Sequence, residues 1–419
     1  MKKLYITSDV LFSLYTFFLV FLCLYGPRLN VIDIMAATTS ILMVIGFLRV
    51  IKVKKIEKYS LGLFVYILAL LLLSSFHYYY HGNGDPTGIG LLIKLLIYFF
   101  SAHYIVNIYF ESRGKGAYKN LYTFILYATA LNGFFVILFY FIPSFSTLAS
   151  QHLDYTRQLN WLDTGHRMFD LSLGGGASAS FVFSLAYIIG IYIFHIEARK
   201  RIFISLMVIA FSTMLMGRTG LYIIIISTLL YILFLTFSNN IKITRLTIKV
   251  VILFFLYALA ELSGFLNDIN FNFSEVINWS FEIVINYIKY GKAESDTTDA
   301  ISNMWFYPTE VDHFTYGDGN FGRQDYLDFI PSDIGYVRLV FGYGVLGCIL
   351  MFSIYVYMLI TSFLARGRNN IDSYITGTVI ILFFLMNAKE FHFASRGSSV
   401  ILFMIYFISI EKGKYNNES

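Results

Sequence analysis

Long apolar stretches dominate the chain, about twelve of them, each close to the length that a helix needs to cross a bilayer. They fall near residues 9–26, 31–49, 60–76, 88–110, 122–142, 176–195, 202–217, 219–237, 248–265, 333–363, 373–388 and 397–411. Hydrophobic residues make up 57% of the sequence and charged residues only 14%, with a mean hydropathy of +0.66. This composition excludes a soluble globular domain. The sequence therefore predicts an all-α polytopic integral membrane protein.

The hydrophilic connections predict how the chain is oriented in the membrane. Lys and Arg concentrate in every second connection, as in "RVIKVKKIEKYS", "ESRGKGAYKN" and "EARKRI", and in the tail "EKGKYNNES". By the positive-inside rule these connections and both termini face the cytoplasm. The net charge of +5 is then an orientation signal and gives no reason to expect a nucleic-acid partner. The basic start "MKK" precedes a long apolar run without a cleavage site, which predicts a first, uncleaved span.

Two long connections lie on the opposite side, and long loops in a tightly connected bundle are usually functional or disordered. The larger one contains "FSEVINWSFEIVINYIKYGK", whose apolar residues recur at helical spacing and predict a helix lying in the membrane interface over the bundle. The predicted organisation is N-terminal transmembrane helices (1–142), a first long loop (143–175), central transmembrane helices (176–265), a large loop (266–332), and C-terminal transmembrane helices with a tail (333–419).

Three sequence features suggest chemistry but have a simpler explanation. "GDGNFG", Gly317 to Gly322, matches a dinucleotide-binding pattern, but it lies in an outer loop without the required strand and helix, so a glycine-rich turn is favoured. The acids of "ESDTTD" could bind a divalent cation, although a solvated polar turn is favoured. Cys23 and Cys348 both sit in apolar spans and are expected to be small buried hydrophobic residues.

Basic residues remain on the outer side after those of the cytoplasmic connections are set aside, and positive-inside orientation does not explain them. Arg218 lies where two apolar runs meet almost without a loop, in "LMGRTGLYIIII", and Lys389 and Arg396 bracket the similarly tight "NAKEFHFASRGSS". A cation at such depth is costly unless it faces a cavity or an anion. Snorkelling to the lipid head groups is the alternative. Further outer cations are Arg157, Arg167, Arg323 and Arg338.

The stretch "SDIGYVRLVFGYGVLG" joins the large loop to an apolar run. If the helix begins at Asp333, this carboxylate benefits from the helix dipole, and N-capping is the simplest explanation for it. Arg338 follows five residues later, roughly 140° around a helix, so the two residues are not an i,i+4 pair. We therefore expect them to contact different parts of one substrate.

Together, "GRTGLYII", the long outer loop ending in a glycine turn, "SDIGYVRLVFGYGVLG" and "KEFHFASRG" resemble the Wzy-type O-antigen polymerases and the related O-antigen ligases. The resemblance implies a GT-C-like membrane glycosyltransferase in the bacterial inner membrane. Such enzymes transfer a glycan from undecaprenyl diphosphate to an acceptor hydroxyl on the periplasmic side, in lipopolysaccharide or polysaccharide biosynthesis. It also implies that Arg218 binds the lipid diphosphate, together with Arg167 and, less closely matched, Arg157.

The resemblance favours a polymerase over a ligase. Ligases carry a His-Asn pair before an aromatic residue and a Gly-x-x-Gly, and here Tyr336, Gly344 and Gly347 fit that spacing while Asp333 occupies the His position. Asp333 is the predicted general base, since a carboxylate can remove the proton of a sugar hydroxyl. A ligase acting on lipid A core, or a flippase or exporter of the same lipid-linked glycan, remains an alternative.

Other outer residues are predicted to belong to the same site. Glu310, Asp312 and His313 of "TEVDHF" are rival bases, and the remaining outer cations are candidate ligands of the diphosphate or sugars. The sequence predicts no cofactor and no bound metal. The expected partners are undecaprenyl-diphosphate-linked oligosaccharides and membrane lipids, and a chain-length regulator is left open.

Overall fold

The structure is a computed structural model that describes residues 2–53, 56–82, 85–154, 168–172, 175–237, 278–292, 295–322, 329–365 and 371–417. Within these ranges the chain forms α-helices, one 3-10 turn at Gly114–Gly116 and isolated β-bridges. The α-helices are α1 (Lys2–Tyr25), α2 (Ile34–Val53), α3 (Lys58–His81), α4 (Thr87–Arg113), α5 (Ala117–Phe141), α6 (Pro143–His152), α7 (Gly176–Glu197), α8 (Lys200–Met216), α9 (Arg218–Phe237), α10 (Glu282–Tyr290), α11 (Asp296–Asn303), α12 (Val311–Tyr316), α13 (Gly335–Leu364), α14 (Ile371–Asn387) and α15 (Arg396–Asn417).

The predicted apolar segments are helical over most of their length where the structure describes them. Eleven of them coincide with α1 to α5, α7 to α9 and α13 to α15, whereas 248–265 lies outside the described residues. In the described part of the chain, five stretches are long and apolar enough to cross a membrane: Ile34–Val53, Lys58–His81, Thr87–Phe141, Gly176–Glu197 and Gly335–Leu364. The all-α architecture is thus confirmed, with the long apolar helices of a membrane-embedded protein.

The helices group into two compact units. The first comprises residues 1–26, 34–121 and 296–419, and the second comprises residues 27–33 and 122–295. In the first unit α4 is central and packs against α2, α3 and α15. Every residue from Gly397 to Ile410 of α15 is buried. A helix that is apolar on all sides belongs in the interior of a bundle, which explains the position of α15.

In the second unit α7 packs against α8 and α9, and it is largely buried. A small apolar cluster of Phe139, Leu153 and Phe169 closes one end of this unit. The segment before α2 is fixed beside this cluster by an ion pair between Arg28 Nε and Asp154 Oδ2, at 3.1 Å.

Helix α13 is kinked at Gly344, whose φ of 68° and ψ of 178° are not helical. Near the kink, the carbonyl oxygens of Phe341 and Gly342 accept hydrogen bonds from the amides of Asp318 and Gly319, at 2.9 and 3.2 Å. The predicted glycine-rich turn is confirmed, since Gly317, Gly319 and Gly322 all have positive φ. The turn therefore bonds to α13 beside its break, and the element that precedes it is the short helix α12, not the strand that a dinucleotide-binding motif requires.

Candidate functional site

The glycines of "GRTG" allow three helices to meet closely in the second unit. Only Gly217 separates α8 from α9, and a Cβ atom there would lie 2.5 Å from the carbonyl oxygen of Gly176 at the start of α7. A Cβ at Gly220 would lie 2.1 Å from the carbonyl oxygen of Ser180. The Gly220 amide also donates a hydrogen bond to Ser180 Oγ, at 3.2 Å. Arg218 therefore opens α9 at a crowded helix junction.

Arg218 is 9% exposed and forms an ion pair with the Glu282 carboxylate. Its guanidinium carbon also lies 5.0 Å from the centroid of the Trp279 ring, within range of a cation–π interaction. A cation at a helix N-terminus opposes the helix dipole, and burial adds a further cost. Glu282, in the first turn of α10, supplies the compensating charge. We call Arg218, Trp279 and Glu282 the Arg218 cluster.

Part of the segment that was predicted to lie in the membrane interface is helical and forms α10, Glu282–Tyr290. Val284, Tyr287 and Ile288 of this helix are exposed, while Ser280 just before it is buried. The Tyr222 hydroxyl donates to the Ser280 carbonyl oxygen at 3.1 Å, which ties this segment to α9. Helix α10 thus carries Glu282 to Arg218 and leaves an apolar face exposed.

Asp170 is a buried carboxylate that sequence reasoning missed. It is 2% exposed, and its oxygens accept hydrogen bonds from Asn132 Nδ2 at 3.1 Å and Ser172 Oγ at 2.8 Å. The Met168 amide donates to the Leu215 carbonyl oxygen at 3.0 Å, which fixes this loop at the end of α8. The sequence feature that could have identified Asp170 is an acidic residue within the apolar run "MFDLSL". The predicted Arg157 and Arg167, just upstream, lie outside the described residues.

In the first unit the structure corrects the prediction for Asp333. Helix α13 begins at Gly335 with Ile334 as its N-cap, so Asp333 lies before the helix and does not cap it. Its Oδ1 atom lies 3.3 Å from Arg338 Nη2, and the two side chains form an ion pair. The two side chains therefore contact each other, because the chain is not helical at Asp333.

Arg338 is anchored by two further contacts. Its Nε donates to the Ser332 carbonyl oxygen at 2.5 Å, and its guanidinium carbon lies 6.0 Å from the Phe391 ring centroid. The Asp333 side chain is 68% exposed, against 22% for Arg338. The Asp333 carboxylate is therefore accessible to solvent, and the Arg338 guanidinium beside it is held in place by the protein.

The rival bases Glu310 and His313 contact each other, with Glu310 Oε2 3.5 Å from His313 Nδ1. Both side chains are exposed, and His313 lies in the short helix α12. The structure thus places these candidate bases on an exposed segment of the first unit. Arg323 lies outside the described residues.

The turn between α14 and α15 holds Lys389 and Arg396 at its two ends, with Lys389 half-buried and Arg396 exposed. Between them His392 is fully buried, its amide donating to Asn387 Oδ1 at 3.1 Å and its Nε2 lying 2.7 Å from Ser398 Oγ. Burial lowers the pKa of His392 to about 3. The positions of Lys389 and Arg396 are therefore determined by a turn that is held together by internal hydrogen bonds.

The remaining motif residues have structural partners. The Tyr336 hydroxyl donates to the Phe384 carbonyl oxygen at 2.8 Å. A Cβ atom at Gly347 would lie 2.4 Å from Tyr343 Cβ. Cys23 and Cys348 are buried, as predicted.

The acidic segment "ESDTTD" was expected to be a polar turn, but α11 begins at Asp296 and makes most of it helical. The described residues contain no group of three or more His, Cys, Asp or Glu side chains that could hold a metal ion. Comparison of the whole chain with models of protein families and with curated proteins found no match.

Proposed function

We propose that this protein is an O-antigen polymerase. It would act as a membrane glycosyltransferase that joins undecaprenyl-diphosphate-linked repeat units on the periplasmic side, passing the growing chain to a sugar hydroxyl of the next unit. The observation that supports the proposal is the Arg218 cluster, in which a buried guanidinium lies at the junction of two apolar helices and is balanced by a carboxylate from another segment.

The donor reaction breaks the bond between the anomeric carbon and a diphosphate oxygen, so negative charge develops on the leaving group. A guanidinium stabilises that charge and fits two phosphate oxygens at once. In the proposed mechanism Arg218 exchanges the Glu282 carboxylate for the diphosphate. This exchange keeps the buried Arg218 paired with an anion, and it releases the Glu282 carboxylate, whose side chain is 26% exposed, to the solvent.

The acceptor hydroxyl must lose its proton as its oxygen attacks the anomeric carbon. Asp333 is the proposed base, because its carboxylate is exposed while Arg338 holds it in place. The proton passes to a carboxylate oxygen, and the new glycosidic bond forms as the diphosphate departs.

We expect Arg218→Lys and Asp333→Asn each to reduce long-chain glycan at least about tenfold, while the protein stays in the membrane. Lysine retains the charge but loses the two-pronged geometry, and asparagine cannot accept the proton. The measurement is the glycan ladder of a deletion strain that carries each variant, with membrane protein quantified in parallel.

Matched controls are Arg28→Lys and Asp9→Asn, which alter other ion pairs, those with Asp154 and Arg113. Both controls should keep normal ladders. Long-chain glycan at normal levels in both site variants would contradict the assignment of Arg218 and Asp333. The deletion strain itself tests the reaction, because a polymerase mutant keeps single repeat units on its surface glycan, whereas loss of all glycan from the lipid A core would indicate a ligase.

A further inference from the structure

Helix α10 turns its apolar side chains away from the protein. Val284, Tyr287 and Ile288 are exposed, and their spacing places them within roughly 100° of one another around the helix. We call these three residues the α10 stripe. Glu282 lies roughly 160° around the helix from Val284, on the side that contacts Arg218. The helix therefore directs a charged residue towards the protein and an apolar stripe outwards.

A helix on a water-facing surface has the opposite arrangement. Its apolar residues pack against the protein and its polar residues meet the solvent, because burial of apolar area is favourable in water. On α10 the exposed fractions of Tyr287 and Ile288 are 62% and 70%. Asn286, on the same side of the helix as Glu282, is only partly exposed. The stripe is therefore suited to an apolar environment.

The attachment of α10 to α9 identifies that environment. The Tyr222 hydroxyl donates to the Ser280 carbonyl oxygen at 3.1 Å, and Glu282 pairs with Arg218. Arg218 is the first residue of α9, and Tyr222 follows after a rise of about 6 Å. The end of an apolar membrane helix lies near the boundary between hydrocarbon and water. Helix α10 is therefore attached at the level of that boundary.

The other side chains of α10 and its C-terminal end are typical of the same boundary. Tyr287 and Tyr290 are exposed, and residues that join an apolar ring to a hydroxyl are enriched where a membrane meets water. Lys289 and Lys292 are exposed as well. Lysines near a bilayer are attracted to the phosphates of anionic lipids. The charge of this segment therefore complements a surface of phospholipid head groups.

The stripe and the partners of Arg218 are mechanically connected. The stripe and Glu282 belong to one helix of nine residues. The Trp279 ring, three residues before Glu282, lies 5.0 Å from the guanidinium carbon of Arg218. A shift of α10 away from the protein would therefore separate Glu282 and Trp279 from Arg218 together.

We propose that the α10 stripe inserts into the phospholipid leaflet beside α9 and thereby holds Glu282 and Trp279 over Arg218 as a latch. The lipid surface then controls access to the guanidinium, because another anion reaches Arg218 only when α10 shifts. The identity of that anion as a lipid diphosphate rests on the proposed function. The latch rests on the polarity of α10, its attachment to α9 and its contacts with Arg218.

Fluorescence quenching tests the insertion, with the purified full-length chain in nanodiscs of phosphatidylethanolamine and phosphatidylglycerol. A bimane probe is attached to Tyr287→Cys on the stripe, or to the matched control Lys289→Cys, roughly 160° around the same helix. Cys23 and Cys348 are buried and should not react. Doxyl groups on the acyl chains should quench the Tyr287 probe at least fivefold more than the Lys289 probe, and aqueous iodide should show the reverse order.

Equal quenching of the two probes, by iodide and by doxyl lipid, would overturn the insertion and indicate a helix in water. Protection of the Tyr287 probe from both quenchers would also overturn it, because a protein partner or a second copy would then cover the stripe.

The rate at which phenylglyoxal modifies Arg218, located by mass spectrometry, tests the latch. Ile288→Glu places a charge in the stripe and should raise this rate at least tenfold over the wild type. Because Ile288 is 70% exposed, the change removes little packing within the protein. Tyr287→Ser gives the same test with a smaller change if Ile288→Glu does not reach the membrane. The matched control is Leu148→Glu, at an exposed residue of α6 in the same unit, which should react at the wild-type rate.

Glu282→Gln should also raise the rate at Arg218 at least tenfold, because it removes the carboxylate that pairs with the guanidinium. A wild-type rate in the stripe variants would overturn the control of Arg218 by lipid. A wild-type rate in Glu282→Gln would overturn the role of Glu282 as the cover of Arg218.

The latch and the proposed function can fail separately, since neither measurement uses a glycan substrate. Normal glycan ladders in Arg218→Lys, together with a stripe that inserts and protects Arg218, would contradict the polymerase assignment alone. Loss of the ladder in Arg218→Lys, together with unchanged rates in the stripe variants, would contradict the latch alone.

Discussion

At the scale of single residues, the buried charged groups Arg218 and Asp170 depend on partners that are distant in sequence. Arg218 pairs with Glu282, 64 residues away, and Asp170 accepts from Asn132, 38 residues away. A buried charge left without its partner costs about 3–5 kcal/mol, so each pair ties together segments that local sequence leaves independent. His392 is buried as well, and its ring is bonded to Ser398.

We expect acid to destabilise the protein through His392. The pKa of this side chain is about 3 in the folded protein, against about 6.5 for an unperturbed histidine, so the folded state binds fewer protons. With respect to this histidine, the folded protein is most stable above pH 6.5. The free energy of unfolding falls by about 1.4 kcal/mol per pH unit as the pH falls from 6.5 towards 3.

Thermal unfolding in detergent at pH 7.5 and pH 5.5 measures this loss. His392→Gln should flatten the pH dependence, and the exposed His152→Gln should leave it as in the wild type. An equally steep dependence in His392→Gln would assign the acid sensitivity to other groups.

At the scale of elements, the kink of α13 is set by one residue. Gly344 has a backbone conformation that is open almost only to glycine, and a Cβ atom there would lie 2.2 Å from the Thr315 carbonyl oxygen. The α12 segment and the glycine-rich turn after it pack at this point. The loop that holds Glu310 and His313 is therefore positioned by a break in a membrane helix.

Gly344→Ala should destabilise the protein by about 1–3 kcal/mol from backbone strain alone, with the clash adding to it. The measurement is the melting temperature in detergent together with the amount of protein in the membrane. Gly90→Ala is the matched control, because α4 is regular there and no atom lies within 4 Å of the added methyl group. That variant should be neutral or slightly more stable, since alanine favours helices. A melting temperature of Gly344→Ala equal to that of the wild type would show that α13 tolerates a different bend.

At the scale of the whole molecule, the alternating basic connections predict which side of the membrane each loop faces. Both native cysteines are buried, so accessible thiols can be introduced singly. Lys115 and Asn303 are exposed, and the sequence predicts that they lie on the cytoplasmic and periplasmic sides respectively.

We therefore expect Asn303→Cys to react with a membrane-impermeant maleimide in intact spheroplasts, and Lys115→Cys to react only after permeabilisation. The labelled fraction of each variant is measured against the fully permeabilised sample. Labelling of Lys115→Cys before permeabilisation would reverse the predicted orientation, and labelling of both would indicate a different number of spans between them.

The sequence alone determined where most helices lie, because a membrane helix must satisfy its own backbone and must be apolar over a fixed length. Hydropathy also placed Arg218 at a helix junction. The helical spacing of apolar residues predicted the amphipathic helix α10. Only the tertiary structure decided which charges meet. Asp333 pairs with Arg338 because the chain is not yet helical at Asp333, and Glu282 pairs with Arg218 because the start of α10 lies against the start of α9. Periodicity describes positions within one helix, whereas these pairs depend on how loops fold back onto helices, which no local pattern specifies.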